Sequence, residues 1–160
     1  MFVLLHDLLP GLAENETRTV ILTQATADLP ADYYSFCEMF CDERGCDCRR
    51  VFFYVISTNR RSVEAVIAYG WESADFYARW MKQPDPASVV ELQGPCLNFG
   101  SPASELAPAL LRLFQSTLLP DAAYIDRVKR HYRLFRERIE GKRTVGGSTK
   151  RRKVRGKSRA

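Results

Sequence analysis

Apolar positions recur most regularly near the end of the chain. Tyr124, Ile125, Val128, Tyr132, Phe135 and Ile139 follow at three- and four-residue spacing, which predicts a helix with one buried stripe. Asp121, after Pro120, is placed to cap it, and Gly141 to close it as C′. The i,i+4 pairs Asp126–Arg130, Arg133–Glu137 and Arg136–Glu140 fall on its solvated side. Further upstream the period changes to two. Val51 to Ser57 is rich in β-branched and aromatic residues, Asn59-Arg60-Arg61-Ser62 reads as a turn, and Val63, Ala65, Ile67 and Tyr69 share one face of a second strand. These two segments predict a hairpin.

The remaining pattern supplies shorter elements. Thr19–Leu22 and Val89–Leu92 read as strands. Pro30 opens a helix running to about Cys41, with Asp28 as N-cap and Tyr33, Phe36, Met39 and Phe40 as its apolar positions. Ser73 caps a helix from Ala74 to Lys82 whose aromatic face is Phe76, Tyr77 and Trp80, and Gln83-Pro84-Asp85-Pro86 ends it. Ser104 starts another, with Glu105 in its first turn and Leu106, Leu110, Leu113, Phe114 and Leu118 on its buried side. The order predicts an α+β fold: a small, mainly antiparallel sheet covered by helices, with a four-cysteine knuckle at 37–48. One domain spans residues 1–140, and 141–160 form a disordered basic tail.

Charge sharpens that boundary. The net charge of the 160 residues is +5, yet residues 141–160 hold nine Lys or Arg and no Asp or Glu. The first 140 residues keep 15 basic against 19 acidic side chains, a net charge of −4. A mildly acidic domain therefore carries a strongly basic tail, which attracts polyanions by counterion release. Lys150, Arg151, Arg152, Lys153, Arg155 and Lys157 are the expected nucleic-acid contacts, with ribonucleoprotein as the other polyanionic partner. The tail has no aromatic residue for base stacking, so these contacts fall on phosphates and are non-specific. A solvated extension without a partner is the alternative.

The opening MFVLLHDLLP has a short apolar run but no basic leader, and His6, Asp7 and Pro10 interrupt it. It reads neither as a signal peptide nor as a membrane span. That points to the cytoplasm, where clustered cysteines favour metal over disulfides.

Four of the five cysteines fall within twelve residues: Cys37, Cys41, Cys46 and Cys48, with Cys96 as a spare thiol. On a helix, Cys37 and Cys41 share a face one turn apart. In extended chain, Cys46 and Cys48 point the same way, and Gly45 permits the reversal that joins the pairs. Four thiolates about 2.3 Å from one ion make a closed structural zinc site. An iron–sulfur cluster uses the same donors, although the spacing matches neither common ferredoxin pattern. Thiols without metal, and a Cys46/Cys48 redox pair, are the other readings. Arg44, Arg49 and Arg50 are placed to offset the charge of Asp42, Glu43 and Asp47.

Catalytic signals are weak. His6 and His131 are the only histidines, and neither can be tied to a nucleophile; a buried, hydrogen-bonded His131 is favoured over a metal ligand or a general base. No nucleophile elbow, phosphate-binding loop or dinucleotide fingerprint is present. The chain thus reads as a non-enzymatic, zinc-stabilised binding domain. One alternative is a protein-interaction adaptor using the aromatic surface near Trp71, Phe76 and Trp80; the other is a thiol redox protein.

The run Glu38-x-x-Cys41 through Cys46-Asp47-Cys48-Arg49-Arg50-Val51, then Ala68-Tyr69-Gly70-Trp71-Glu72-Ser73 and Phe76-Tyr77-x-x-Trp80, resembles a group of uncharacterised bacterial cysteine-motif proteins. Some members carry a second cysteine knuckle of the SEC-C type at the C-terminus, where this chain has its basic tail. The resemblance covers about residues 19–139. It implies a bacterial, cytoplasmic, zinc-type domain and supplies no activity.

Overall fold

The computed structural model describes residues 1–82 and 85–141. The expected tail, including Lys150, Arg151, Arg152, Lys153, Arg155 and Lys157, lies outside the described residues, as do Gln83 and Pro84. The fold is α+β, with one antiparallel sheet and helices packed mainly on one face.

The chain opens with strand β1 (Phe2–Leu4), then helices α1 (Leu5–Leu8) and α2 (Pro10–Glu16), then β2 (Arg18–Leu22). Both strands pair with β3 (Asp32–Cys41) along the same edge. Arg18 sits opposite Phe36 and Leu4 opposite Met39, so α1 and α2 leave and re-enter the sheet around Cys37 and Glu38. The predicted hairpin is β4 (Arg50–Ser57) and β5 (Ser62–Gly70), in register from Arg50↔Gly70 to Ser57↔Ser62, with an irregularity at Val55/Ile56. β6 (Cys96–Leu97) completes the other edge.

β3 is where a helix was expected. Its apolar residues satisfy the three-and-four spacing, but burial alternates with period two from Asp32 to Glu38 and covers both faces from there to Cys41. Tyr34, Phe36 and Phe40 face the large core, whereas Met39 belongs to a smaller cluster with Phe52, Val66 and Ala68 on the opposite face. A strand buried on both sides reads as a continuous apolar run, and that run imitates a helical stripe. Asp28 caps nothing here; it accepts a hydrogen bond from Arg112 at 2.8 Å.

The second departure is α4 (Pro86–Gln93), a helix where Val89–Leu92 suggested a strand. Asp85 caps it by accepting from the Ser88 amide at 3.2 Å, and Pro86 stands at its first turn, where a missing N–H costs nothing. Before it, α3 (Ala74–Met81) has the predicted cap, Ser73 Oγ accepting from the Phe76 amide at 3.3 Å.

Helix α5 (Ala107–Leu113) runs into a π-helical turn (Phe114–Leu118), and α6 (Ala122–Gly141) follows. Asp121 accepts from the Tyr124 amide at 3.1 Å, as expected of an N-cap. Gly141 is the last helical residue rather than the residue after it, a one-position difference at a helix end. Leu110, Phe114, Leu118, Val128 and Phe135 are fully buried against the sheet. Phe114 meets Phe53 at 5.1 Å between ring centres, and Phe135 meets Phe40 at 5.5 Å. This packing carries the C-terminal half of α6 over the β3–β4 connection.

Candidate metal centre

The eight residues between β3 and β4, Asp42 to Arg49, hold Cys46 and Cys48, while Cys41 ends β3. Gly45 turns the connection with a φ of 73°, a conformation that costs glycine little. The result brings the Sγ atoms of Cys41, Cys46 and Cys48 within 4.8 Å of one another. Cys41 and Cys48 are buried and Cys46 is half-buried.

Cys37 does not join them. As a strand residue it lies on the same face as Cys41, but four residues of extended chain place it about 13 Å away, whereas a helical turn would have put it alongside. It faces a cavity of about 210 Å³ with Leu5, Thr17 and Ile56. The expected four-thiol knuckle is therefore a three-thiol cluster among the described residues, because the segment carrying its first pair is a strand. Cys96, on β6, donates instead to the Glu91 carbonyl at 3.4 Å.

The connection is tied from three sides. The Asp42 amide donates to the Met1 carbonyl at 2.9 Å, and the Met1 ammonium pairs with the Asp42 carboxylate at 2.6 Å. From α6, Arg136 donates to the carbonyls of Cys41 and Glu43 at 3.0 and 2.8 Å, and Glu140 accepts from the Gly45 amide at 2.8 Å. From α3, the Tyr77 hydroxyl donates to the Arg49 carbonyl at 2.9 Å. Tyr77 reaches it across Gly70, where any side chain would collide with the phenol ring.

The donor set fits a soft or borderline divalent cation. Burial raises the Cys41 thiol above its ordinary pKa; burial, reinforced by Cys46, pushes Cys48 up to about 12. Buried neutral thiols are inert, and a cation among them reverses that balance by favouring thiolates. Arg50 supplies a second indication. It is largely enclosed, its Nε is buried with no acceptor, and it pairs with no carboxylate among the described residues. Burial lowers its basicity, and the Cys48 thiol is the foremost group acting the other way. Three thiolates around a divalent ion carry a net negative charge that would answer this cation. Arg49, by contrast, is taken up by Asp47 and Glu72, and Arg44 is exposed.

A second polar cluster lies on the opposite face of β3. His131 is fully buried on α6, hydrogen-bonded through Nδ1 to Glu38 at 2.8 Å and through Nε2 to Glu16 at 3.1 Å; Glu16 is also bonded by Arg130. Burial works against a charged imidazole, but the two carboxylates outweigh it, and the pKa is raised. The hydrogen-bonded histidine was expected; its partners were not. Glu38 sits at a core-facing position of a strand that was read as a helix, and Glu16 is distant in sequence.

The aromatic residues singled out earlier do not form one exposed face. Trp71 packs edge-on to Tyr132 at 5.1 Å, Phe76 lies under Arg49 and against Tyr77, and Trp80 is 42 % exposed. No helix among the described residues is long and apolar enough to cross a membrane. No family model matches the chain, and no curated protein or solved structure matches it either.

Proposed function

We propose that this chain is a zinc-stabilised binding domain in which Cys41, Cys46 and Cys48 hold one ion, and that it contacts nucleic acid or a ribonucleoprotein through the basic tail. The observation that carries the metal reading is the convergence of three thiols in a connection bonded to the N-terminus, α3 and α6. Zinc suits a cysteine-rich set and brings no redox chemistry of its own. Three donors are one short of the four thiolates that hold an iron–sulfur cluster. The redox reading for Cys46 and Cys48 needs a depressed thiol pKa, and burial acts on Cys48 in the opposite direction. A metal held by clustered cysteines suits a reducing compartment such as the cytoplasm.

The tail supports the second half of the proposal through composition: nine cations, no acidic residue and no aromatic. It follows α6, whose last turns hold the cysteine connection. The metal reading is tested by elemental analysis of untagged protein, with a thiol count before and after chelation under denaturing conditions. One zinc per chain and three thiols unmasked on stripping are the expected result. Metal-free protein with a readily formed Cys46–Cys48 disulfide would replace this reading with the redox one.

A further inference from the structure

Three protein ligands leave a zinc-like ion one position short of tetrahedral. Of the carboxylates nearest in sequence, Asp42 is held by the Met1 ammonium and Asp47 by the Arg49 guanidinium at 2.9 to 3.1 Å, while Glu43 is exposed and stands outside the cluster. The cluster has no fourth Cys, His, Asp or Glu among the described residues. Residues 142–160 add no cysteine, histidine or acidic side chain to the donors the sequence offers.

Cys46 opens onto a groove. Together with Asp47, Tyr132, Arg133, Arg136, Glu137 and Glu140 it lines a depression of about 390 Å³ between the connection and α6. Arg136 is fully used by the Cys41 and Glu43 carbonyls and by Glu140. Arg133 is exposed and has no acceptor among the described residues; the Arg133–Glu137 pair expected from spacing does not form. It also borders a neighbouring depression lined by Arg49, Trp71, Lys129 and Tyr132. The groove therefore sets a half-buried ligand sulfur beside an uncommitted cation, with the Glu137 carboxylate, unpaired among the described residues, one helical turn further along α6.

We infer that the fourth position of the metal at Cys41, Cys46 and Cys48 is open to this groove and takes a small anion from solution, with Arg133 as its countercharge. The inference rests on the three-thiol metal reading. Three thiolates around a divalent ion already sum to −1, so an anionic fourth ligand requires a cation close by, and Arg133, which lines the same groove as Cys46, meets that requirement. Such a centre is a ligand-binding site as well as a staple; an ion with an exchangeable position acts as a Lewis acid toward what it binds.

The test uses the full chain loaded with cobalt(II), with azide as the anionic probe and imidazole as the neutral one. Thiolate-to-cobalt charge transfer reports the three sulfurs, and the visible d–d bands report the fourth ligand. Azide is expected to shift the d–d bands saturably while the charge-transfer band persists. Arg133→Ala should weaken azide about tenfold, the scale of an outer-shell contact, and leave imidazole unchanged. Cys37→Ser should respond like the unaltered chain. If neither probe shifts the bands, or if they respond only in Cys37→Ser, the chain fills its own fourth position and the inference is overturned. Equal azide affinity in Arg133→Ala overturns the role of that cation. A loaded protein lacking thiolate charge transfer instead removes the metal reading, and this inference with it.

Discussion

At the scale of the residue, the four clustered cysteines are not equivalent. Cys41, Cys46 and Cys48 converge, while Cys37 stands on the same strand face about 13 Å back. Serine at any of the three converging positions is expected to cut zinc affinity more than about 100-fold, since outer-shell changes alone reach that range. Cys37→Ser should keep one zinc per chain, read by competition with a chromogenic chelator. Loss of zinc in Cys37→Ser would mean the strand yields to bring a fourth thiol in. Arg50 offers a finer test. Replacing it with Met keeps the packing over Phe52 but removes the cation beside Cys48. The expected loss is about tenfold in zinc affinity, with the metal-free stability unchanged or improved because an unpaired buried donor disappears. A variant that binds zinc as before would show that Arg50 answers some other charge.

At the scale of the element, α6 is held to β3 by a buried imidazole between two carboxylates. Glu38 and His131 are 2 % and 0 % exposed as side chains. Removing one partner of a buried pair leaves the other uncompensated, so His131→Ala is expected to cost about 3 kcal/mol in chemical denaturation. The pair also predicts a pH dependence. His131 has its pKa raised in the fold, so its contribution is complete below about pH 6.5, its unfolded value, and is lost as pH rises through the folded value. Burial works against the Glu16 carboxylate too, but its bonds from His131 and Arg130 lower its pKa, so its contribution is complete above its ordinary carboxylate value and is lost toward acid. Denaturation midpoints should therefore be highest between those limits and decline toward pH 8, and His131→Asn should flatten the alkaline arm. A wild-type midpoint unchanged from pH 6 to 8 would contradict the charged pair. These elements also show what was legible in the sequence and what was not. Helix α6 and the β4–β5 hairpin were readable because each buries one face, so the period is clean in the residues themselves. β3 was not: covered on both faces, its apolar residues carry no single period, and the error displaced Cys37 from where it stands. In the same way Val89 to Leu92 is short and β-branched enough to imitate a strand, although Asp85 and Pro86 just before it hold the capping signal of a helix. His131's partners lay beyond any local pattern because they come from α2 and β3.

At the scale of the whole molecule, charge is divided rather than shared. The first 140 residues are net −4 and the remainder +9. A polyanion is repelled by one and drawn to the other, so the tail must supply the favourable term in any nucleic-acid contact. If Lys150, Arg151, Arg152, Lys153, Arg155 and Lys157 each neutralise one phosphate, the logarithm of the association constant should fall with a slope of about −5 against the logarithm of salt concentration on duplex DNA. Truncation after Gly141, or glutamine at those six positions, should reduce binding to background at any salt, because what remains is acidic. Affinity should vary little with base sequence, since phosphates carry no sequence information and the tail has no ring to stack. The metal can be separated from this effect. Chelation alters the charge only at the cysteine connection, so it should leave the salt slope unchanged even where it loosens the domain. Fluorescence anisotropy with one labelled duplex across a salt series, on full-length and truncated protein with and without chelator, measures all of these together. A truncated protein that keeps the slope and affinity of the full chain would move the polyanion site onto the folded domain, with Arg133 and Lys129 beside the cysteine connection as the cations to replace next.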